Sequence, residues 1–316
     1  MKVVFMGTPH AAVPTLERIL LDAHQVVAVY TQPDRPSGRG NKITFSPVKE
    51  FAAKSGIEVF QPQKIKTPDA IETFRSHSAD VAVVVAYGRI LPQGFLNAFP
   101  NGAINVHFSL LPKYRGAAPV NWAIANGETE TGVTTMRMDA GLDTGDILLQ
   151  DSTSIGDDET AVELMERLSI SGAELLSETL ANLVSIKPKP QNGDLSTHAP
   201  ILKKEDGLID WRANAQDIAN RIRGFQPFPT VFTYYERQRL TLWRARARQV
   251  DHTRHFVPGE ILEADSELII GCGEYSALLI EELQLEGRRR VSVRDFLNGV
   301  KLRKGEKLDS GGTDGN

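Results

Sequence analysis

The chain has 316 residues, of which 41% are hydrophobic and 24% are charged, a composition typical of a globular protein large enough for two domains. Its net charge of −4 gives no global indication of nucleic-acid binding, and its one cysteine excludes an internal disulfide. The apolar runs are far shorter than the roughly 20 residues that a membrane span needs. We therefore expect a cytoplasmic protein.

Strand-like and helix-like segments alternate through residues 1–150. Runs rich in β-branched residues are separated by segments with helical features, such as the capping serine and first-turn proline at Ser46 and Pro47. This alternation predicts an α/β fold with a doubly wound, mostly parallel sheet. The predicted strands are 2–6, 25–31, 57–61, 80–86 and 103–107, and the predicted helices are 14–21, 47–55, 68–77 and 92–99.

A polar segment rich in proline, from Lys187 to Asp194, separates two patterns of secondary structure. Before it, apolar residues recur at helical spacing over 158–184. After it, a predicted helix at 215–223 is followed by short strands whose spacing predicts a small β-barrel: 231–235, 239–246, 259–263, 267–271 and 277–285. We therefore predict a first domain over 1–187, a linker over 188–206, a barrel domain over 207–308 and a disordered tail over 309–316.

Three arginines at every second position, Arg244, Arg246 and Arg248, mark the second predicted strand of the barrel. A β-strand sends alternate side chains to one face, so the three guanidinium groups would form a basic stripe. Such a stripe suits the phosphates of a nucleic acid. The same pattern is also compatible with an ordinary solvated strand face, and sequence alone leaves both interpretations open.

The sequence combines an amide, an imidazole and a carboxylate, at Asn105, His107 and Asp143. The first two residues stand at the carboxyl end of a predicted strand, which is where open α/β sheets bind ligands. The asparagine NH2 can donate to a carbonyl oxygen that becomes an oxyanion, and histidine can add a second donor or act as acid or base. The carboxylate can orient the ring and help to remove a proton from an attacking amine. Each residue alone also fits a structural role, in the core or in a turn.

The combination of these residues with their neighbours resembles the 10-formyltetrahydrofolate-dependent formyltransferases. The central block runs from Asn105 through Ser109-Leu110-Leu111-Pro112 to Tyr114-Arg115-Gly116-Ala117-Ala118-Pro119. Matching segments flank it along nearly the whole chain, including 5–9, 32–36, 46–49, 86–92, 209–211 and 222–225. The Gly38-Arg39-Gly40 loop and the C-terminal third resemble the members of the family that act on methionyl-tRNA.

This resemblance implies a formyltransferase fold with a C-terminal OB-like barrel and a direct attack by the methionyl amine of initiator tRNA on the formyl group of 10-formyltetrahydrofolate. It implies no metal and gives Asn105, His107 and Asp143 the catalytic roles. The folate would lie against two loops, whose residues are Ala86, Tyr87, Gly88, Ile90 and Leu91 in the first and Ser109, Leu110, Leu111 and Pro112 in the second. We expect a monomer.

The segment 34–45 is longer than a doubly wound fold needs after its second strand. Its glycines and cations predict a mobile basic loop, which would be an ordinary surface insertion on residue chemistry alone. The resemblance implies instead that the loop enters the tRNA acceptor arm, with Arg39 matching the key arginine of the family. The tRNA contacts expected in this loop are Arg35, Arg39 and Lys42.

Several other functions are compatible with parts of this pattern. Other enzymes that use 10-formyltetrahydrofolate share the central block, and a non-catalytic RNA-binding protein on the same fold is an alternative of a different class. A Ser-His-Asp hydrolase is disfavoured because no Gly-x-Ser-x-Gly occurs. A dinucleotide site is disfavoured because Gly7 stands alone and Pro9 removes an amide donor.

Overall fold

The computed structural model describes residues 1–37, 42–251 and 255–309, without the side chains of residues 36, 37, 42 and 43. It divides into two compact units. The first comprises Met1–Pro119, Glu130–Ser154 and Glu163–Pro200, and the second comprises Val120–Thr129, Ile155–Val162 and Ile201–Asn316. No helix in the described part of the chain has the length and hydropathy that a membrane crossing requires.

The first unit is built from strands and helices in alternation. Its strands are β1 (Lys2–Gly7), β2 (Gln25–Tyr30), β3 (Arg35–Ser37), β4 (Lys42–Thr44), β5 (Val59–Phe60), β6 (Val81–Val85), β7 (Ala103–His107), β8 (Arg115–Gly116), β9 (Glu130–Arg137), β10 (Ile147–Ser154) and β11 (His198–Ala199). The first helices of the chain are α1 (Val13–Leu21), α2 (Pro47–Lys54), α3 (Pro68–Ser76), α4 (Gln93–Leu96), α5 (Pro119–Ala125) and α6 (Ala161–Ala181).

Seven strands form one sheet in the order β10-β9-β7-β6-β1-β2-β5. Five neighbouring strands are parallel to one another, namely β7, β6, β1, β2 and β5. By contrast, β9 is antiparallel to β7 and β10 is antiparallel to β9. The central strands are apolar throughout: every residue of Val81–Val85 is buried, as expected where both faces of a parallel sheet are covered. The predicted doubly wound, mostly parallel sheet is confirmed, and the carboxyl ends of β1, β6 and β7 lie at one edge.

The segment predicted as a basic loop contains regular structure at its flanks. β3 and β4 pair antiparallel, with Arg35 opposite Thr44 and Ser37 opposite Lys42. The prediction missed this pairing because the glycines and cations between the strands outweighed the β-branched pair Ile43 and Thr44. Arg39 lies outside the described residues.

Part of the segment predicted as a linker belongs to the first unit. Lys189 and Ile147 exchange two backbone hydrogen bonds of 2.8 Å, and β11 pairs in parallel with β8. The first unit ends at Pro200. The proline-rich composition therefore coincides with extended chain that is hydrogen-bonded to strands of the first unit.

The second unit contains an antiparallel sheet and a buried helix. Its remaining elements are α7 (Ala215–Gly224), β12 (Val231–Tyr235), β13 (Gln238–Gln249), β14 (Ile261–Glu263), β15 (Leu268–Gly271), β16 (Ser276–Leu285), β17 (Val291–Ser292) and α8 (Val293–Gly299). The sheet order is β12-β13-β16-β15-β14, with β17 beside β16. Its core includes Trp211, Ile222 and Phe225.

Residues 305–309 join the two edges of this sheet. Gly305 N donates to Ile261 O at 2.9 Å and Ile261 N donates to Glu306 O at 2.8 Å, on the β14 side. On the β12 side, Tyr234 and Asp309 exchange two backbone hydrogen bonds of 3.0 and 3.1 Å. The sheet therefore curls towards a closed barrel, as the short strands predicted.

Candidate active site

β7 places two polar side chains at the carboxyl edge of the large sheet. Asn105 pairs with Val84 of β6 and Met136 of β9, and His107 is the last residue of the strand. Because they are two residues apart on a strand, their side chains lie on the same face. Asn105 is 8% exposed and His107 is 6% exposed. Within the residues that the structure describes, the Asn105 carboxamide has no hydrogen-bond partner, so its N–H donors are available to a ligand.

The ring of His107 is held by a backbone carbonyl. Its Nε2 lies 2.9 Å from Tyr114 O, and since a carbonyl oxygen only accepts, Nε2 carries the hydrogen of this bond. The other nitrogen, Nδ1, lies 3.8 Å from Asp143 Oδ2. That separation is too long for a direct hydrogen bond, but it lets a third group touch both atoms. Nδ1 is therefore the ring nitrogen that is available for chemistry.

Asp143 lies in the turn between β9 and β10, residues 139–146, which we name the Asp143 turn. Its backbone is in the left-handed region with φ of 53°, a strained conformation for a residue with a side chain. Its Oδ2 accepts a 2.8 Å hydrogen bond from Gly116 N of β8. The carboxylate is 14% exposed, so this amide fixes it in a nearly buried position beside His107.

The first predicted folate loop, 86–91, follows β6. Gln32 Nε2 donates to Tyr87 O at 2.9 Å, and Arg89 Nε donates to Gln32 Oε1 at 3.1 Å. The Tyr87 ring is 2% exposed, and burial raises the pKa of its hydroxyl. Tyr87 therefore shapes the loop from the core side, whereas the exposed residues of the loop are Ala86, Gly88 and Ile90.

The second predicted folate loop, 109–112, follows β7 at the same edge of the sheet. Ser109 is fully buried and its hydroxyl donates to Lys113 O at 2.7 Å. Thr134 of β9 donates to Ser109 O at 2.6 Å and accepts from Leu111 N at 3.1 Å. The hydrogen bonds of Ser109 thus stabilise the conformation of the loop. The partly exposed side chains of this loop are Leu110 and Pro112.

Two residues of the site gave no separate signal in the sequence. Arg115 is 9% exposed, and both its Nε and its Nη2 donate to Gln191 Oε1, at 3.0 and 2.7 Å. Gln191 lies in the segment predicted as a linker, and its Nε2 donates to Asp143 O at 2.9 Å. The sequence marks Arg115 only as part of the central block, and a glutamine in a proline-rich segment carries no chemical pattern by itself.

The predicted tRNA contacts divide between the two units. Arg35 is exposed in β3, the side chain of Lys42 is not among those described, and Arg39 lies outside the described residues. In the second unit every guanidinium of the basic stripe has a carboxylate partner. The pairs are Arg244 with Glu281 at 2.9 Å, Arg246 with Asp158 at 2.9 Å, and Arg248 with Glu267 at 2.6 Å.

The structure places no three His, Cys, Asp or Glu side chains of residues 1–37, 42–251 and 255–309 close enough together to hold a metal ion. The groups at the carboxyl edge of the large sheet are instead one amide, one imidazole and one carboxylate. Such a set serves hydrogen bonding and proton transfer.

Comparison with known proteins places both parts of the chain in one family. Residues 1–180 match the family described as Formyl transferase, and residues 201–301 match Formyl transferase, C-terminal domain. The methionyl-tRNA formyltransferase of Geobacter metallireducens is 50% identical over 311 residues, 98% of each chain. That of Solibacter usitatus is 49% identical over 313 residues, covering 98% of this chain and 99% of that protein.

A solved structure of lower identity shares the fold. It is a sugar 3N-formyl transferase determined in the presence of dTDP and 5-N-formyl-THF, 20% identical, with a TM-score of 0.64 over 92% of this chain and 99% of that chain. The matched domains and the two relatives cover nearly the whole sequence. The chain therefore belongs to the methionyl-tRNA formyltransferase family.

Proposed function

We propose that this protein transfers the formyl group of 10-formyltetrahydrofolate to the free amino group of methionyl-initiator tRNA, giving N-formylmethionyl-tRNA for translation initiation. The observation that carries the proposal is the arrangement at the carboxyl end of β7. There a carboxamide with free donors lies two residues from an imidazole whose Nδ1 faces a carboxylate at 3.8 Å. The names of relatives about half identical to this chain support the substrate.

The chemistry follows from the position of each group. The amine nitrogen bonds to the formyl carbon, the bond from that carbon to the folate nitrogen breaks, and the amine loses one proton. Asn105 donates to the formyl oxygen, which gains negative charge as the new bond forms. His107 Nδ1 and Asp143 Oδ2 receive the amine proton between them, and that proton passes to the folate nitrogen as its bond to the formyl carbon breaks, so tetrahydrofolate leaves as a neutral amine. Because Nε2 is hydrogen-bonded to Tyr114 O, Nδ1 is the ring nitrogen that faces the substrate.

The folate donor supplies the activated formyl group, and we propose that it lies between the loops 86–91 and 109–112. Both loops follow parallel strands at the same edge of the sheet, and both are fixed by hydrogen bonds from other strands or loops. Small-molecule sites commonly combine apolar walls with a few polar anchors. The exposed and partly exposed side chains available as walls are Ala86, Ile90, Leu110 and Pro112.

For tRNA we propose two contact regions, the basic loop with Arg35, Arg39 and Lys42, and the basic stripe on β13. The carboxylates that pair with the stripe would compete with phosphates for the same guanidinium groups. Replacing Glu281 with Gln should therefore tighten tRNA binding, whereas replacing all three stripe arginines should weaken it and flatten its salt dependence. An unchanged salt slope in the triple variant would move the binding face elsewhere.

A substrate panel tests the activity itself. Purified protein with 10-formyltetrahydrofolate is offered methionyl-initiator tRNA, uncharged tRNA, free methionine and a dTDP-linked amino sugar. We expect formylation of the charged tRNA alone, at a rate lowered by Asn105→Ala. Formylation of the sugar or of free methionine at a comparable rate would contradict the proposal. We also propose that the protein acts as a monomer in the cytoplasm, where charged tRNA is used.

A further inference from the structure

We infer that Gln191 is a positioning residue for this reaction, which holds the Asp143 turn so that the Asp143 carboxylate faces His107. The inference rests on the proposed function, since it concerns the carboxylate that the mechanism uses. Gln191 lies 48 positions from Asp143 in sequence, in a segment whose composition predicted a linker. Its side chain nevertheless lies between a buried arginine and the backbone of the turn.

The carboxamide of Gln191 uses its full capacity for hydrogen bonds. Nε2 donates to Asp143 O at 2.9 Å and to Gly145 O at 2.7 Å, and it also lies 4.0 Å from Met136 Sδ. Oε1 accepts from Arg115 Nε at 3.0 Å and from Arg115 Nη2 at 2.7 Å. A carboxamide has two N–H donors and two acceptor lone pairs, and these four bonds occupy all of them. A side chain so completely engaged determines the geometry of what it touches.

Arg115 connects this clamp to the carboxylate by a second route. The next residue, Gly116, donates its backbone N–H to Asp143 Oδ2 at 2.8 Å. Asp143 is therefore held through its carbonyl by Gln191 and through its carboxylate by Gly116. Arg115 and Gly116 are adjacent residues of β8, so both restraints connect Asp143 to the same short strand.

The Asp143 turn needs such restraints more than most turns do. Asp143 has a left-handed backbone, which is unfavourable for a residue with a side chain, and the preceding Leu142 is 55% exposed. Gln191 reaches the turn because Lys189, two residues earlier, is joined to Ile147 by two backbone hydrogen bonds of 2.8 Å. The extended chain thus brings the Gln191 carboxamide within hydrogen-bond distance of the turn.

A competing explanation is that Gln191 serves only to satisfy the buried guanidinium of Arg115. Gln191→Glu separates the two explanations, because a carboxylate accepts from Arg115 but cannot donate to Asp143 O or Gly145 O. Gln191→Leu removes both sets of bonds. Gln25→Leu is the matched control, since Gln25 is exposed and begins β2, at the amino end of the sheet opposite the site.

The test measures kcat and both KM values for formylation of methionyl-tRNA, together with Tm. We expect Gln191→Leu and Gln191→Glu each to lower kcat at least ten-fold, with both KM values within about two-fold. Tm should stay close to that of Gln25→Leu for Gln191→Glu, which still accepts from Arg115, and should fall for Gln191→Leu, which deprives the buried guanidinium of this acceptor. In an Asp143→Asn background, Gln191→Leu should change kcat less than two-fold, because its effect passes through the Asp143 carboxylate.

Several results would overturn the inference. Full activity of Gln191→Glu would reduce the role to pairing with Arg115, and a multiplicative loss with Asp143→Asn would mean that the two residues act independently. A fall in Tm with equal changes in all kinetic constants would indicate a structural role alone. If wild-type protein does not formylate methionyl-tRNA, the proposed function fails instead. The positioning role is then judged from a crystal structure of Gln191→Leu, in which an unmoved Asp143 would refute it.

Discussion

The Asn105 carboxamide offers the most direct test of the mechanism, through Asn105→Ala and the isosteric Asn105→Asp. The side chain is 8% exposed and has no described hydrogen-bond partner, so its removal deletes a donor without breaking a native bond. Loss of one donor to a developing oxyanion costs about 2.7–4 kcal/mol of transition-state stabilisation, or roughly 10²–10³ in kcat. Asn105→Asp should be at least as slow, because a carboxylate cannot donate and brings negative charge towards the oxyanion.

The assay is single-turnover formylation of methionyl-tRNA at saturating folate, with the free energy of unfolding measured in parallel. For Asn105→Ala we expect that free energy to change by less than about 1 kcal/mol, since no native hydrogen bond is lost. Asn101→Ala is the control, because Asn101 precedes β7 at the opposite edge of the sheet and its carboxamide donates to Asp80 O, away from the site. Activity of Asn105→Asp within five-fold of wild type would refute the oxyanion role.

Three further predictions concern the scaffold. A hydrogen bond from Lys49 lowers the pKa of Asp34, so this ion pair stabilises the folded protein at pH values above the pKa of an unfolded aspartate. The decrease in Tm caused by Lys49→Met should therefore become smaller as pH falls below about 4. A decrease that stays constant with pH would contradict this. Burial raises the pKa of the Cys272 thiol to about 12, so a chromogenic disulfide reagent at pH 8 should titrate one thiol only after denaturation, not in the native state. At Gly116 φ is 123° and a Cβ would lie 2.6 Å from Ala199 O. Gly116→Ala should therefore lower the free energy of unfolding by about 1–3 kcal/mol and reduce kcat strongly. Unfolding curves and a kcat equal to those of the wild type would disprove this prediction.

Local patterns predicted the parallel part of the fold well. The strand predicted at 103–107 is β7 with the same limits, because a short apolar run ends there in polar residues. β9 was missed because its sequence includes Thr131, Thr134 and Thr135, which weaken the apolar pattern. Those threonines are buried, and Thr134 and Thr135 satisfy their hydroxyls with Ser109 O and Thr179. Such partners are distant in sequence, so the pattern of β9 alone could not reveal a buried strand.

Partners that are distant in sequence also limited what could be predicted about the site and the basic stripe. Asn105, His107 and Asp143 were predicted as catalytic residues because the chemistry of each and the resemblance pointed the same way. Gln191 was not, because its role depends on Arg115 and on two carbonyls of a distant turn. In the stripe, alternation predicted a common face, but the neutralising carboxylates come from other elements, at Asp158, Glu267 and Glu281.

The junction of both sheet edges by residues 305–309 has a consequence for solubility. An unpaired edge strand presents free N–H and C=O groups that can recruit the edge of another molecule. In the second unit the β12 edge at Tyr234 and the β14 edge at Ile261 are both occupied by this one short segment. Deleting residues 305–309 would therefore unpair the backbone of Tyr234 and of Ile261 together, so the loss of one short segment would open both edges of the sheet.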